Sequence, residues 1–148
     1  MKKNNSRYGE VNDLNLKLVV AIHRSLQKDE KSLSNLLSEY DLTISQFGVL
    51  EVLYHKGPLR ICDIIEKTLS TSGNMTVVIR NLEKLGYITK ERDPEDKRAF
   101  IICSTKKGYD VISEVFPRHL IDLEKALSNL DMQEKSNLLA LLKKLNGV

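Results

Sequence analysis

The feature that most restricts how this chain can fold is a change of hydrophobic period between Ile61 and Ser104. Ile61, Ile64 and Ile65 recur at helical spacing and mark a short helix reaching about Thr68. The turn Leu69-Ser70-Thr71 separates it from a second helix, on which Met75, Val78, Ile79, Leu82 and Leu85 share one side. Thr71 suits the N-cap of that helix, and Gly86 suits the left-handed residue that follows a helix end. The pattern then alternates with period two in Tyr87-Ile88-Thr89-Lys90-Glu91-Arg92 and again in Arg98-Ala99-Phe100-Ile101-Ile102-Cys103. Asp93-Pro94-Glu95-Asp96-Lys97 forms the polar turn between them. Two helices joined by so short a turn and followed by a hairpin predict a helix-turn-helix with a β wing.

The remainder reads as helix. Val11, Leu14, Leu18, Ile22 and Leu26 form one apolar stripe, and a separate short helix is expected around Ser34 to Tyr40. Thr43-x-x-Gln46 is a capping box opening a helix through Phe47, Leu50 and Leu53, which must stop before Gly57-Pro58. Thr105 is a plausible cap for the next helix. There Phe116, Leu120, Leu123, Leu127 and Leu130 are spaced 4, 3, 4, 3, a coiled-coil seam rather than a broad core face. Pro117 is expected to kink or restart this helix. Asp131-x-x-Glu134 caps a last helix carrying Leu138, Leu139, Leu141, Leu142 and Leu145.

Composition narrows the function. The chain has 148 residues with 41% hydrophobic and 29% charged, as expected of one globular domain. No apolar run approaches the roughly 18 to 20 residues of a membrane span, and no apolar segment follows Met1-Lys2-Lys3, so a cytoplasmic protein without membrane contact is expected. A net charge of +3 permits nucleic-acid binding without implying it, so the placement of the charges must decide. Aromatic residues make up only 5% with no Trp, which argues against a stacking reader of single strands. Cys62 and Cys103 lack any C-x-x-C spacing, which excludes a disulfide framework and the usual structural zinc site. His23, His55 and His119 lie on three helices without metal-ligand spacing. No nucleophile triad order, P-loop or dinucleotide fingerprint is present, so neither an enzyme nor a cofactor is expected.

The second helix of the pair has a second face. Stepping about 100° per residue from Met75 collects Gly73, Val77, Arg80 and Lys84 opposite the apolar stripe, flanked by Thr76 and Asn81. Major-groove reading needs these types. Ser72 and Gly73 let the helix start approach a phosphate, and Val77 can meet a thymine methyl. Arg80 can pair with guanine or phosphate, while Asn74, Thr76 and Asn81 can hydrogen-bond bases or phosphates. The competing reading is a winged helix used only for protein contacts. Such a module has no reason to align Gly73, Val77 and Arg80 with a wing arginine, Arg98.

These residues resemble the MarR family of winged-helix transcriptional regulators. The resemblance is carried by Thr43-x-x-Gln46, Gly57-Pro58-Leu59-x-Ile61-x-Asp63-Ile64 and Thr71-Ser72-Gly73-Asn74-Met75-Thr76. It continues through Asn81-Leu82-Glu83-Lys84-Leu85-Gly86-Tyr87-Ile88, the wing Asp93-Pro94-Glu95-Asp96-Lys97-Arg98, and Ser104-Thr105-Lys106-Lys107-Gly108. It implies one domain over 1–148, mainly α with a small β-hairpin wing: a winged helix-turn-helix with N- and C-terminal dimerisation helices. Residues 41–108 would form the DNA-binding region, and 8–40 and 109–148 the helical dimerisation region.

The resemblance further implies a homodimer on a pseudopalindromic double-stranded operator, with the helix from Thr71 in the major groove and Arg98 in the minor groove. Asp96 would orient Arg98, and Lys97 lies between them; an Asp two residues before an Arg on a strand lies on the same side and can pair with it. The plainer reading of that pair is a surface ion pair of little effect. Leu14 and Leu18 would join the seam residues at the dimer interface. Family members are often repressors released by a small aromatic or phenolic effector, and others are switched by cysteine oxidation. Leu50-Glu51-Val52-Leu53-Tyr54-His55-Lys56-Gly57 and Phe116-Pro117-Arg118-His119 are similar to the quinone- and phenol-responsive Firmicute-type members, and either histidine can line the effector cleft.

Two departures bear on this. The first helix has no cysteine, where peroxide-sensing members carry one, and Arg60 stands where the family often has a Ser or Thr cap. A thiol switch would instead use Cys62, in the first turn of its short helix where the macrodipole favours thiolate, with Arg60 assisting. Cys103, in the second wing strand, reads as an inert packed thiol.

Overall fold

In the computed structural model, which describes residues 7–68 and 72–148 (Ser72 by its backbone alone), the chain opens with one long helix, α1 (Glu10–Ser38). The two separate helices expected before Asp41 are therefore continuous. Gln27-Lys28-Asp29-Glu30-Lys31-Ser32-Leu33 contains no Gly or Pro and consists mostly of good helix formers, so nothing interrupts the ladder. The chain turns at Asp41, whose φ of 54° is left-handed, a conformation Asp tolerates better than most residues.

Helix α2 (Ile44–Lys56) begins with the expected capping box: Gln46 N–H donates to Thr43 Oγ1 at 3.2 Å, and Thr43 N–H donates to Gln46 Oε1 at 2.9 Å. There follow β1 (Leu59–Arg60), α3 (Ile61–Thr68), α4 (Ser72–Lys84), β2 (Ile88–Arg92), β3 (Phe100–Ser104), α5 (Lys106–Ala126) and α6 (Met132–Asn146). The Asp131–Glu134 box caps α6 as expected. Thr71 and the turn before it lie outside the described residues. Helix α5 does not restart at Pro117 but runs through it.

The sheet has a third strand that periodicity did not suggest. Its order is β1-β3-β2, antiparallel throughout, with Arg60 opposite Ile101 and Arg92 opposite Phe100. A two-residue strand directly after Gly57-Pro58 is too short to show any alternation.

One core joins the elements. Leu36 and Leu37 of α1, Phe47, Val49, Leu50 and Leu53 of α2, and Ile64 of α3 are buried together with Ile88, Ile102, Ile112 and Val115. Helix α4 contributes Met75, Val78, Ile79 and Leu82. Leu85 corrects the expected stripe: it is exposed, because it lies past the last helical residue where the chain reverses at Gly86, φ 76°.

The first turn of α5 crosses the α4–β2 reversal at close range. Thr105 Oγ1 donates to the Gly86 carbonyl at 2.7 Å and accepts from Gly108 N–H at 3.1 Å, and Lys107 Nζ donates to the Leu85 carbonyl at 2.8 Å. A Cβ on Gly108 would overlap the Tyr87 carbonyl and sit 2.7 Å from Ser104 Oγ. Gly108→Ala should therefore cost about 1–3 kcal/mol, as overpacking does, and lower the melting temperature by several degrees in a circular-dichroism melt. An unchanged melt would show that the two segments separate without penalty.

Candidate nucleic-acid interface

Burial of Met75, Val78, Ile79 and Leu82 turns the opposite side of α4 outward. Gly73, Asn74, Thr76, Val77, Arg80, Asn81 and Lys84 are all exposed, so the face read from the sequence exists as one surface. Small residues lie at its start and cations toward its end, with Val77 between. Thr71 falls outside the described residues, and the side chain of Ser72 is not among the described features.

The wing corrects one expectation. Asp96 and Lys97 lie in the turn as expected, but Arg98, expected to open the second strand, lies in the turn with them, since β3 begins only at Phe100. The cause is the capture of turn N–H groups by short acidic side chains. Asp93 Oδ1 accepts from the N–H of Glu95 at 2.8 Å and of Asp96 at 3.4 Å. Asp96 Oδ1 accepts from the Arg98 N–H at 3.0 Å and lies 3.6 Å from Arg98 Nε. Asp96 does meet Arg98, but as a turn residue. The Arg98 side chain is 95% exposed and projects from the wing. Behind it Arg92 Nη1 donates to the Lys97 carbonyl at 2.6 Å, and Lys90 and Arg92 pack over the Phe100 ring at 4.1 and 5.4 Å.

Sequence reasoning missed Asp93 and the partner of Arg60. Asp93 is only 3% exposed, and its carboxylate pairs with Arg60 Nη2 at 2.5 Å. The Glu95 N–H chiefly, with Arg60 and the Asp96 N–H, holds the Asp93 carboxyl below its ordinary range against the opposing effect of burial. No local spacing announces a pair so distant along the chain. It also removes the help that Arg60 was expected to give Cys62, because the guanidinium is committed elsewhere. Cys62 is exposed, with its Sγ 3.8 Å from an Asp63 carboxylate oxygen. Cys103 is half-buried, and burial pushes its thiol up, as fits an unreactive packed cysteine.

A second cluster forms where α2 meets α5. Tyr54 lies 4.7 Å from Tyr109 and His55 lies 4.7 Å from Phe116, while His119 stacks edge-on to Phe47 at 5.5 Å, all between ring centroids. The hydrogen bond with Tyr109, aided by burial, raises the Tyr54 phenol above its usual range. Tyr54, His55 and His119 were singled out from the sequence; Tyr109 was not. Next to this cluster Arg118 holds Glu39 through two hydrogen bonds of 2.8 and 3.0 Å and the Tyr40 hydroxyl at 2.8 Å, joining the end of α1 to α5.

The expected leucine seam divides. Phe116 packs against the core of its own chain. Leu123, Leu127 and Leu130 line an apolar groove of about 490 Å³ with Ile22, Leu26, Leu138 and Leu142. Leu14, Leu18 and Leu120 are exposed, and α6 buries no residue against its own chain.

A family model described as transcriptional regulator SarA/Rot matches residues 31–115, more than half of the chain. The chain belongs to this SarA/Rot family. It is 38% identical over 106 residues to the HTH-type transcriptional regulator YkoM of Bacillus subtilis, covering 72% of this chain and 69% of YkoM. It is also 29% identical over 129 residues to the HTH-type transcriptional regulator MhqR of the same species, covering 87% of this chain and 89% of MhqR. Among solved structures, a mutant MarR of E. coli complexed with operator DNA superposes with a TM-score of 0.82 at 25% identity, over 93% of this chain and 99% of that one. The SarA/Rot protein described here is thus a MarR-type winged-helix, DNA-binding transcriptional regulator, and its relatives are regulators rather than enzymes.

Proposed function

We propose that this regulator acts as a homodimeric repressor in the cytoplasm, binding a pseudopalindromic double-stranded operator and released by a small aromatic or phenolic effector. The observation that carries the reading is the outward face of α4 together with the projecting Arg98. Gly73, Asn74, Thr76, Val77, Arg80, Asn81 and Lys84 would meet the major groove, with Ser72 and Thr71 at the helix start. Arg98, backed by Asp96 and Lys97, would enter the flanking minor groove, whose narrow A·T-rich form attracts arginine. In this reading residues 41–108 contact DNA and residues 8–40 and 109–148 hold the dimer.

The dimer is supported by apolar side chains that are left largely exposed on α1 and α6. Leu141 is 64% exposed and Leu145 69%, on a helix with nothing buried, and Leu14 and Leu18 are exposed on α1. A second copy with its own α1 and α6 would cover both faces at once. The effector reading is supported by the cluster of Tyr54, His55, Phe116 and His119, which offers aromatic faces and hydrogen-bonding groups where α2 meets α5. No helix among the described residues is long and apolar enough to cross a membrane.

Two outcomes test this. Leu141→Asp changes a residue already exposed within one chain, so the variant should fold yet sediment as a monomer and lose operator binding together; a dimeric variant that still binds would refute the α6 interface. Selection of bound sequences at fixed salt should separate the two DNA-reading elements. Arg80→Ala should cost about 1–3 kcal/mol and relax preference at one core position, whereas Arg98→Ala should weaken mainly A·T-flanked sites. The reverse pattern would mean that the elements occupy the opposite grooves.

A further inference from the structure

The three-stranded sheet carries an ion pair that joins β1 to the wing turn. Arg60 lies on β1 opposite Ile101, and Asp93 directly follows β2, with its N–H donated to the Ala99 carbonyl at 3.1 Å. Strand β3 runs between β1 and β2, so the Arg60–Asp93 contact bridges the two outer strands across the middle one. Asp93 is the hub of the wing turn. Its carboxylate receives Arg60 on one side and the N–H groups of Glu95 and Asp96 on the other, and Asp96 in turn receives the Arg98 N–H. Glu95 Oε2 stands 4.0 Å from the same guanidinium. An unbroken series of polar contacts therefore runs from β1, directly before α3, to the wing arginine.

We propose that Arg60 is a positioning residue for the wing: paired with Asp93 across β3, it sets where Arg98 projects, and so how strongly the protein prefers particular sequence flanking its core site. This rests on the reading of Arg98 as a minor-groove contact. Removing Arg60 leaves the Asp93 carboxylate, 3% exposed, without its cation. A buried charge losing its partner is strongly disfavoured, and the turn relieves this by opening Asp93 to water. The Glu95 and Asp96 amides and the Asp96–Arg98 bond then lose their anchor. Lysine replaces Arg60 poorly, because a point charge on a flexible stem does not reproduce the planar guanidinium that lies between Asp93 and Glu95. The competing possibility is that Arg60, whose side chain is 40% exposed, touches a phosphate itself.

The experiment uses the full-length protein and two duplexes sharing the selected core, one with A·T and one with G·C flanks. Affinities are measured over a salt series for wild type, Arg60→Ala, Arg60→Lys, Asp93→Asn, Arg98→Ala and the double variant Arg60→Ala with Arg98→Ala. Arg60→Ala and Asp93→Asn should each lose about three- to tenfold on the A·T-flanked duplex, within the range of residues coupled in one network, and about twofold or less on the other. Arg60→Lys should recover only part of the loss. In the Arg98→Ala background Arg60→Ala should add nothing. In the absence of DNA, amide exchange at Glu95 and Asp96 should rise in Arg60→Ala, a readout that remains available should Asp93→Asn fail to fold.

Equal losses on both duplexes with the salt slope reduced by about one would assign Arg60 to a phosphate and overturn the proposal. An undiminished Arg60→Ala effect in the Arg98→Ala background, or unchanged exchange at both amides, would also overturn it. Should Arg98→Ala itself leave flank preference intact, the minor-groove reading fails and this inference fails with it.

Discussion

Burial of one side of α4 is the contact on which the rest of the molecule depends. Met75, Val78, Ile79 and Leu82 enter a core shared with α2, α3, the sheet and α5. At roughly 1.5–3 kcal/mol for each fully buried side chain, the four together amount to about 6–12 kcal/mol, comparable with the whole net stability of a domain. Rotating the helix by one residue would turn the stripe away by about 100° and forfeit most of that. The orientation of Gly73, Val77, Arg80 and Lys84 toward solvent is therefore a consequence of core packing, and the surface proposed to read DNA needs no separate stabilisation.

The wing solves a different problem. A turn holding Asp93, Glu95 and Asp96 would be an unfavourable thing to bring near phosphates, as the proposed binding mode requires, and the chain's net charge of +3 does little to offset it. Two of these acidic groups, Asp93 and Asp96, are occupied in shaping the turn. Asp93 is paired with Arg60 and two amides, and Asp96 with the Arg98 amide, while the Arg98 side chain stays 95% exposed. Charge placement, not charge balance, gives this face its character.

Much of this was legible beforehand because it is local. Capping boxes at Thr43 and Asp131, the Thr105 cap, the Gly57 and Gly86 reversals and the stripe on α4 from Met75 to Leu82 each rest on steps of a turn or less, and each appears in the fold as expected; Leu85, past the end of the helix, does not. What escaped depends on distance along the chain. The second strand partner of β3 is two residues long, and Arg60 and Asp93 meet only because β3 brings the outer strands together. Tyr109 joins Tyr54 by the packing of α5 on α2, which periodicity in either helix cannot show. The leucine spacing of α5 was read as one seam, yet it serves two surfaces, since Phe116 turns into its own core while Leu123 to Leu130 line the groove with α1 and α6.

The central claim is that the exposed side of α4 reads the major groove, and methylation interference on the selected operator tests it most directly. Guanine N7 lies in the major groove and adenine N3 in the minor groove. Methylation of N7 at core guanines should block wild-type binding, and the block should weaken for Arg80→Ala at the position that this residue contacts. Methylated adenine N3 should interfere only in the flanks. Interference confined to adenine N3, with N7 methylation tolerated throughout the core, would contradict the account.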